Sequence, residues 1–90
     1  MKKCTYVQNK NIIFRQEEDE AIIFNSDNLD VMLINSVGCL IWSLCDGKNT
    51  KEIILKKIVD EFEVTSEETR KDLDRFLLEL KNKNLIKKTE

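Results

Sequence analysis

The sequence contains no histidine, which removes the commonest general base and the commonest metal ligand. Its three cysteines, Cys4, Cys39 and Cys45, are an odd number without the spacing of a disulfide framework or a metal motif. Gly38 and Gly47 are the only glycines, so a phosphate-binding glycine loop is excluded. Because no catalytic constellation can be assembled from what remains, we expect a protein that is not an enzyme and needs no metal or cofactor.

Long apolar runs are also missing. The first ten residues, MKKCTYVQNK, contain no apolar stretch long enough for a signal peptide. Nowhere does the chain approach the roughly 20 apolar residues that a membrane-spanning helix needs. We therefore expect cytoplasmic localisation and no membrane partner.

The composition that is present is that of one small folded domain. The 90 residues suffice for a single domain over residues 1–90, with residues 1–10 expected to be flexible. Hydrophobic residues make up 41% and charged residues 36%, a balance typical of folded rather than disordered chains. Seventeen acids against fifteen bases give a net charge of -2, which disfavours a nucleic-acid partner because such domains are normally basic.

The first third of the chain alternates short apolar runs with polar turns. The runs cover Asn11–Arg15, Glu20–Phe24 and Leu29–Ile34, and the segments between them are rich in acidic residues, Asn and Ser. Short runs of Ile, Val and Phe divided by turn formers predict an antiparallel meander of three strands.

Helical periodicity follows the third run. Asn35 or Ser36 can cap a first helix, which ends at Asp46-Gly47. Its apolar face consists of Val37, Leu40, Ile41 and Leu44.

Two further helices complete the pattern. Thr50 can cap the second helix, and Thr65 with Glu68 has capping-box spacing for the third, which ends near Asn84. Three strands followed by three short helices predict an α+β, winged-helix-like architecture.

The segment LINSVGCLIWSLCDGKNTKEI, residues 33–53, closely resembles the signature of the PqqD-like domains, also called RiPP precursor-peptide recognition elements (RiPPs are ribosomally made, enzymatically modified peptides). The resemblance lies in Leu33-x-Asn35, in Gly38, in Asp46-Gly47 and in Thr50. Arg15 occupies a position where the family's first strand often has arginine. The similarity extends over about residues 12–86.

This resemblance implies a stand-alone adaptor that binds the leader of a ribosomally synthesised precursor peptide. The leader would add as a strand beside the third strand and lie against the third helix. A separate modifying enzyme, such as a radical-SAM maturase, a cyclodehydratase or a leader protease, would then act on the precursor. Expected peptide-binding residues are Asp30, Val31, Met32, Leu33, Ile34 and Asn35 on the strand, and Asp72, Arg75, Phe76 and Glu79 on the helix.

The residues themselves also allow plainer interpretations. Met32 and Ile34 fit an ordinary core, and the charged positions of the third helix fit a solvated face with i, i+4 pairs. A strand that is apolar on both faces nevertheless invites pairing if it lies at a sheet edge. If the Met32 N–H faces the leader, replacing Met32 with proline should weaken binding.

Two alternative functions remain open at this point. A winged-helix DNA-binding regulator would place the third helix in the major groove, although that helix exposes several acids. A homodimerisation domain would pair the two-sided apolar strands of two copies.

Overall fold

Two antiparallel sheets and three helices make up residues 4–89, the part of the chain that the computed structural model describes. The elements in chain order are β1 (Thr5–Gln8), β2 (Ile12–Glu17), β3 (Glu20–Asn25), β4 (Val31–Ile34), α1 (Ser36–Leu44), β5 (Asp46–Thr50), α2 (Lys51–Phe62), α3 (Ser66–Asn82) and β6 (Ile86–Thr89).

The predicted meander is present as the sheet β2-β3-β4. β3 is its central strand and pairs with β2 from Ile12↔Asn25 to Glu17↔Glu20. On its other side β3 pairs with β4 from Ala21↔Ile34 to Phe24↔Val31. The expected α+β combination of a three-stranded antiparallel sheet with three helices is therefore confirmed.

A second sheet, with strand order β5-β1-β6, was not expected from the sequence. β1 lies in residues 5–8, within the segment expected to be flexible, and β5 covers the Asp46-Gly47 turn that was expected only to end a helix. The sequence of β5, DGKNT, has no apolar alternation, so its strand conformation comes from main-chain pairing with β1. The helices consequently do not follow the strands as one uninterrupted block.

Side-chain caps fix where two of the helices begin. The Asn35 side-chain oxygen accepts a hydrogen bond from the Gly38 N–H at 2.9 Å, which selects Asn35 over Ser36 as the cap of α1. Thr50 caps α2 by accepting from the Ile53 N–H at 3.3 Å. Thr65 is the N-cap residue of α3 but makes no side-chain cap hydrogen bond, so the expected capping box does not form.

One cluster of buried side chains joins the meander, the helices and the C-terminal strand. Its fully buried members include Ile23, Ile54, Leu73, Leu80 and Leu85. Trp42 is buried and stacks on Phe14 of β2, with ring centroids 6.2 Å apart. Within residues 4–89, no helix is both long and apolar enough to cross a bilayer.

A buried polar residue connects the meander to the end of the chain. Asn25 donates from its amide nitrogen to the Asn84 carbonyl at 2.9 Å, and its side-chain oxygen accepts from the Asp27 N–H at 2.8 Å. Because both ends of this side-chain amide are hydrogen-bonded, its burial carries no desolvation penalty from an unpaired group.

Candidate functional site

β4 is the edge strand of the meander. Over the described part of the chain, β3 is the only strand that pairs with it. The Asn25 N–H donates to the Asp30 carbonyl at 2.9 Å, so the Asp30 carbonyl points toward β3. Since hydrogen-bonding direction alternates along a strand, Met32 and Ile34 also bond toward β3. The N–H and C=O groups of Val31 and Leu33 therefore point outward, at the free edge.

The side chains of β4 alternate across the sheet. Met32 and Ile34 face the core and are 8% and 3% exposed, whereas Val31 and Leu33 lie on the outer face and are 56% and 66% exposed. On that outer face Leu33 lies opposite Ile22, which is also largely exposed. An edge that is apolar on both faces and has free main-chain groups is suited to pairing with another extended segment.

An open cleft of about 640 Å³ lies beside this edge. This volume is within the usual range for sites that hold a ligand or a few side chains. One wall is β4 and another is α3, while α1 and the α2–α3 corner close the remaining sides. The lining is mostly apolar and comprises Val31, Met32, Leu33, Ile34, Asn35, Val37, Gly38, Ile41, Ile58, Phe62, Val64, Thr69, Asp72, Leu73, Phe76, Glu79 and Lys83.

Close packing at Gly38 brings β4, α1 and α3 together at the cleft. A Cβ atom at position 38 would lie 2.8 Å from the Ile34 Cβ and 3.1 Å from the Phe76 Cζ. Both distances are shorter than ordinary van der Waals contact. The absence of a side chain at Gly38 therefore lets Phe76 pack over the start of α1, where it forms part of the cleft wall.

The charged residues of α3 divide between two sides of the helix. Toward α2, Lys51 and Asp74 form an ion pair at 2.6 Å, and Arg70 pairs with Glu52 at the same distance. The hydrogen bond to Asp74 raises the pKa of Lys51. Toward the cleft, exposed Asp72 and Glu79 flank half-buried Phe76, and neither carboxylate has an ion-pair partner within residues 4–89.

The structure brings most of the expected binding residues together around the cleft. Five of the six strand candidates line it, and so do three of the four helix candidates. Asp30 and Arg75 do not line the cleft. The Met32 N–H points toward β3 rather than toward the free edge. Replacing Met32 with proline would therefore remove a hydrogen bond within the sheet and would not directly test leader binding.

The α2–α3 corner was missed as part of the site. Phe62 belongs to the apolar stripe of α2 and reads in the sequence as core, yet it is only half-buried and lines the cleft with Val64. Val64 is an isolated apolar residue among polar neighbours, and that isolation was the one available signal. The rest of the unpredicted lining comprises Val37, Gly38, Ile41, Ile58, Thr69, Leu73 and Lys83.

None of the cysteines lines the cleft, and the thiols of Cys39 and Cys45 have raised pKa values. Burial, with a smaller contribution from the Asp46 carboxylate, raises the pKa of the Cys45 thiol to about 12. Burial also raises the pKa of Cys39. Thiols with raised pKa values stay protonated at neutral pH and are poor nucleophiles.

Comparison with protein-family models matches residues 20–86 to the family described as coenzyme PQQ synthesis protein D (PqqD). The matched range includes β3, β4, all three helices and the cleft. No curated protein matches the chain by sequence.

Among solved structures, the chain is similar to TbiB1 in complex with the TbiA(β) leader peptide, with 26% identity and a TM-score of 0.79 over 90% of this chain and 94% of that one. It is also similar to lasso peptide synthetase B1 complexed with the leader peptide, with 13% identity and a TM-score of 0.78 over 91% and 96% of the two chains. The heterocyclase TruD shares the fold at 16% identity and a TM-score of 0.65, over 96% of this chain but 12% of TruD.

Proposed function

This chain belongs to the family of coenzyme PQQ synthesis protein D (PqqD), and from that premise we propose that it binds the leader segment of a ribosomally synthesised precursor peptide. The leader adds as a further strand along the free edge of β4 and covers the adjacent cleft. The family and the likeness to TbiB1, whose structure contains a leader peptide, support this proposal.

The observation that carries the proposal is the combination of a free edge with an apolar cleft. Val31 and Leu33 offer outward main-chain donors and acceptors, and Phe76 and Phe62 supply apolar surface at the same edge. Main-chain hydrogen bonds provide affinity in strand addition, and pockets for alternate side chains provide specificity.

In this proposal the chain is a non-catalytic adaptor. It delivers the precursor to a separate modifying enzyme, such as a radical-SAM maturase, a cyclodehydratase or a leader protease. Binding of the leader raises the effective concentration of the rest of the precursor at that enzyme. We include in the proposal a single functional domain of winged-helix-like type.

The alternative functions gain no specific support. α3 exposes Glu67, Glu68, Asp72, Asp74 and Glu79, and these acids would repel DNA phosphates. Pairing of two copies through β4 would use the same edge as the leader, so a homodimer of that kind would compete with leader binding.

Calorimetric titration with a synthetic leader from a neighbouring precursor gene tests the proposal. We expect binding in the sub-micromolar to micromolar range, and none with a scrambled leader of the same composition. Phe76→Ala should weaken binding by about tenfold or more, because it removes an aromatic wall of the cleft. Leu78→Ala is the matched control, since Leu78 is exposed on α3 but does not line the cleft. Failure to bind any leader encoded nearby would refute the proposal.

A further inference from the structure

On the basis of the proposed function, we infer that a lysine patch at the C-terminal end of α3 is a second binding surface for the precursor peptide, and that it holds an acidic stretch which follows the strand added to β4. The patch consists of Lys10, Lys81, Lys83, Lys87 and Lys88. Binding there lies outside the cleft and beyond strand addition, and the side chains recognised are those of Asp and Glu.

The lysine patch surrounds the turn between α3 and β6. A first recess, of about 630 Å³, is lined by Lys10, Asn84 and Lys87 among other residues. A second recess, of about 500 Å³, is lined by Lys81, Lys87 and Lys88, again together with Asn84. Because the two recesses share Lys87 and Asn84, the lysines form one continuous surface.

The patch is basic in a chain whose net charge is -2. None of its lysines forms an ion pair within residues 4–89. Two acids lie nearby, since Asp27 lines the first recess and Glu79 lines the adjoining cleft. The negative end of the α3 dipole accounts for the lysines at the end of that helix, but it does not account for Lys10 or Lys87, which lie outside α3. The excess of positive charge is therefore available to an anionic partner.

The patch is continuous with the proposed path of the leader. Lys83 belongs to both surfaces, because it also lines the cleft beside β4. The Asn28 side-chain amide donates to the Lys83 carbonyl at 3.5 Å, which brings the residues that precede β4 next to the end of α3. Asn28 itself lines the first recess with Lys10 and Lys87. A peptide that leaves the β4 edge opposite Val31 therefore reaches the lysine patch within its next few residues.

The direction of the added strand decides which part of the precursor meets the patch. Every pairing within the meander is antiparallel. Antiparallel pairing is also slightly more stable per residue than parallel pairing, so we take the leader to run antiparallel to β4. β4 begins at Val31 and ends at Ile34, and the leader therefore passes Ile34 first and leaves the edge at Val31. The acidic stretch then lies on the C-terminal side of the strand-forming segment.

The chemistry of lysine determines how such a stretch binds. Its ammonium group is a strongly hydrated point charge on a flexible stem, and all the patch lysines except Lys83 are exposed. Exposed ion pairs are individually weak and are screened by salt. Several together raise the affinity by a modest factor and speed the encounter of oppositely charged partners. We therefore expect recognition of acidic charge rather than of one particular sequence, with a marked dependence on ionic strength.

Titration of extended peptides tests this inference. A peptide enriched on the wild-type protein from a displayed random library provides the strand-forming segment, and it is synthesised with a run of Glu or an equally long run of Gln at one end. At low salt, Glu at the C-terminal end should tighten binding by about tenfold relative to Gln, whereas Glu at the N-terminal end should not. The gain should largely disappear at about 0.5 M salt.

Charge reversal within the patch provides the matched variants. Lys81→Glu combined with Lys87→Glu should abolish the gain, because both lysines are exposed and line the second recess. Lys56→Glu combined with Lys57→Glu makes the same change of charge on an exposed part of α2 that lines neither the cleft nor the recesses, and it should keep most of the gain. A thermal melt of each protein establishes that it is folded.

Equal affinities of the two peptides extended at the C-terminal end, or a gain that persists in the folded double variant of the patch, would overturn the inference. The proposed function would stand in that case, because the strand-forming segment still binds. A DNA duplex that bound the wild type but not this variant, with no difference between the peptides, would assign the patch to nucleic acid and would overturn the inference as well. Absence of enriched peptides, together with failure of the leader titration, would overturn both.

Discussion

At the scale of single residues, Gly38 shows how closely the cleft is packed. The position is buried where β4 turns into α1, and Ile34 and Phe76 occupy the space that a side chain would need. The Ile34 Cβ cannot withdraw easily, because it is attached directly to the sheet backbone, whereas the Phe76 Cζ is the tip of a ring that borders the cleft and has more freedom to move. Close packing at Gly38 therefore gives a physical reason for a small residue at this position.

Gly38→Ala should lower the free energy of unfolding by about 1–3 kcal/mol through overpacking, despite the better helix propensity of alanine. Denaturant unfolding followed by circular dichroism measures the change. Ser43→Ala, at an exposed position of the same helix, is the control and should change stability by no more than about 0.5 kcal/mol. If the Gly38→Ala protein were as stable as the wild type, the space around residue 38 at the junction of β4 and α1 would be larger than the structure describes.

Cys45 gives a prediction about pH. Its pKa is about 12 in the folded protein and near 9.0 ordinarily, so the unfolded thiol ionises first as pH rises. The stabilisation from keeping this thiol neutral is fully present below pH 9 and is lost between about pH 9 and pH 12.

The free energy of unfolding of the wild type should therefore fall over this interval more steeply than that of Cys45→Ala, in which the group is absent. Urea unfolding at a series of pH values measures both slopes. Equal slopes in the two proteins would show that the Cys45 thiol does not contribute.

Fewer than half of the residues that line the cleft were expected as binding residues, and that expectation rested on the family resemblance as well as on local sequence patterns. Met32, Ile34 and Phe76 lie on apolar runs or stripes. Phe62 has the same kind of pattern and still could not be assigned to the cleft, because periodicity cannot tell a fully buried stripe residue from one at its open end. That distinction depends on how α2 and α3 meet.

At the scale of secondary-structure elements, β4 is the strand whose two hydrogen-bonding edges have different roles. Its inner hydrogen bonds hold the meander together, and its outer groups at Val31 and Leu33 are free. Which residues point outward depends on the register, and the register depends on the turn at residues 26–30, where Asn25 bonds to Asp30. Sequence periodicity alone locates the strand, but it does not tell which residues form hydrogen bonds with β3 and which point toward the free edge.

Proline substitutions can separate the two sides of β4. Val31→Pro should be tolerated by the fold, since Val31 is the first residue of an edge strand and its N–H points outward. It should weaken leader binding by about tenfold, because one main-chain donor is lost. Met32→Pro should instead lower the melting temperature, since it removes an N–H that bonds to β3.

Calorimetry measures the leader affinity of the two proline variants, and thermal melts measure their melting temperatures. Val31→Ala, which retains the N–H at position 31, is the control for binding. If Val31→Pro bound the leader as tightly as Val31→Ala, the outward N–H of Val31 would have no part in binding.

The helices and the meander could be predicted because their patterns are local, whereas β1, β5 and β6 could not. β5 consists of polar residues, and β1 and β6 are short strands from opposite ends of the chain. Their pairing, from Thr5↔Thr89 to Gln8↔Ile86, is a long-range contact with no local sequence signal.

At the scale of the whole molecule, β6 pairs with β1 in the second sheet and packs on the core that also forms the floor of the cleft. Leu85 and Ile86 are buried in the same cluster as Leu73 and Leu80 of α3. The back of α3 is thus held by β6, while its front faces the cleft. Weaker packing between β6 and α3 should therefore alter the position of Phe76 at the cleft.

Leu85→Ala should lower the free energy of unfolding by about 2–5 kcal/mol, because it leaves a cavity at a fully buried position. Thermal and urea unfolding measure the loss, and Leu78→Ala, with its exposed side chain, should cost far less. A small effect at Leu85 would indicate that this residue, which directly precedes β6, does not pack on the core as described.

Amide hydrogen exchange, with and without the leader, tests most directly that the leader adds to β4. In the free protein the Met32 and Ile34 amides are bonded to β3 and should exchange slowly, whereas the Val31 and Leu33 amides should exchange fast. A saturating leader should slow exchange at Val31 and Leu33. If a bound leader left both of these amides at their free rates, strand addition at β4 would be contradicted.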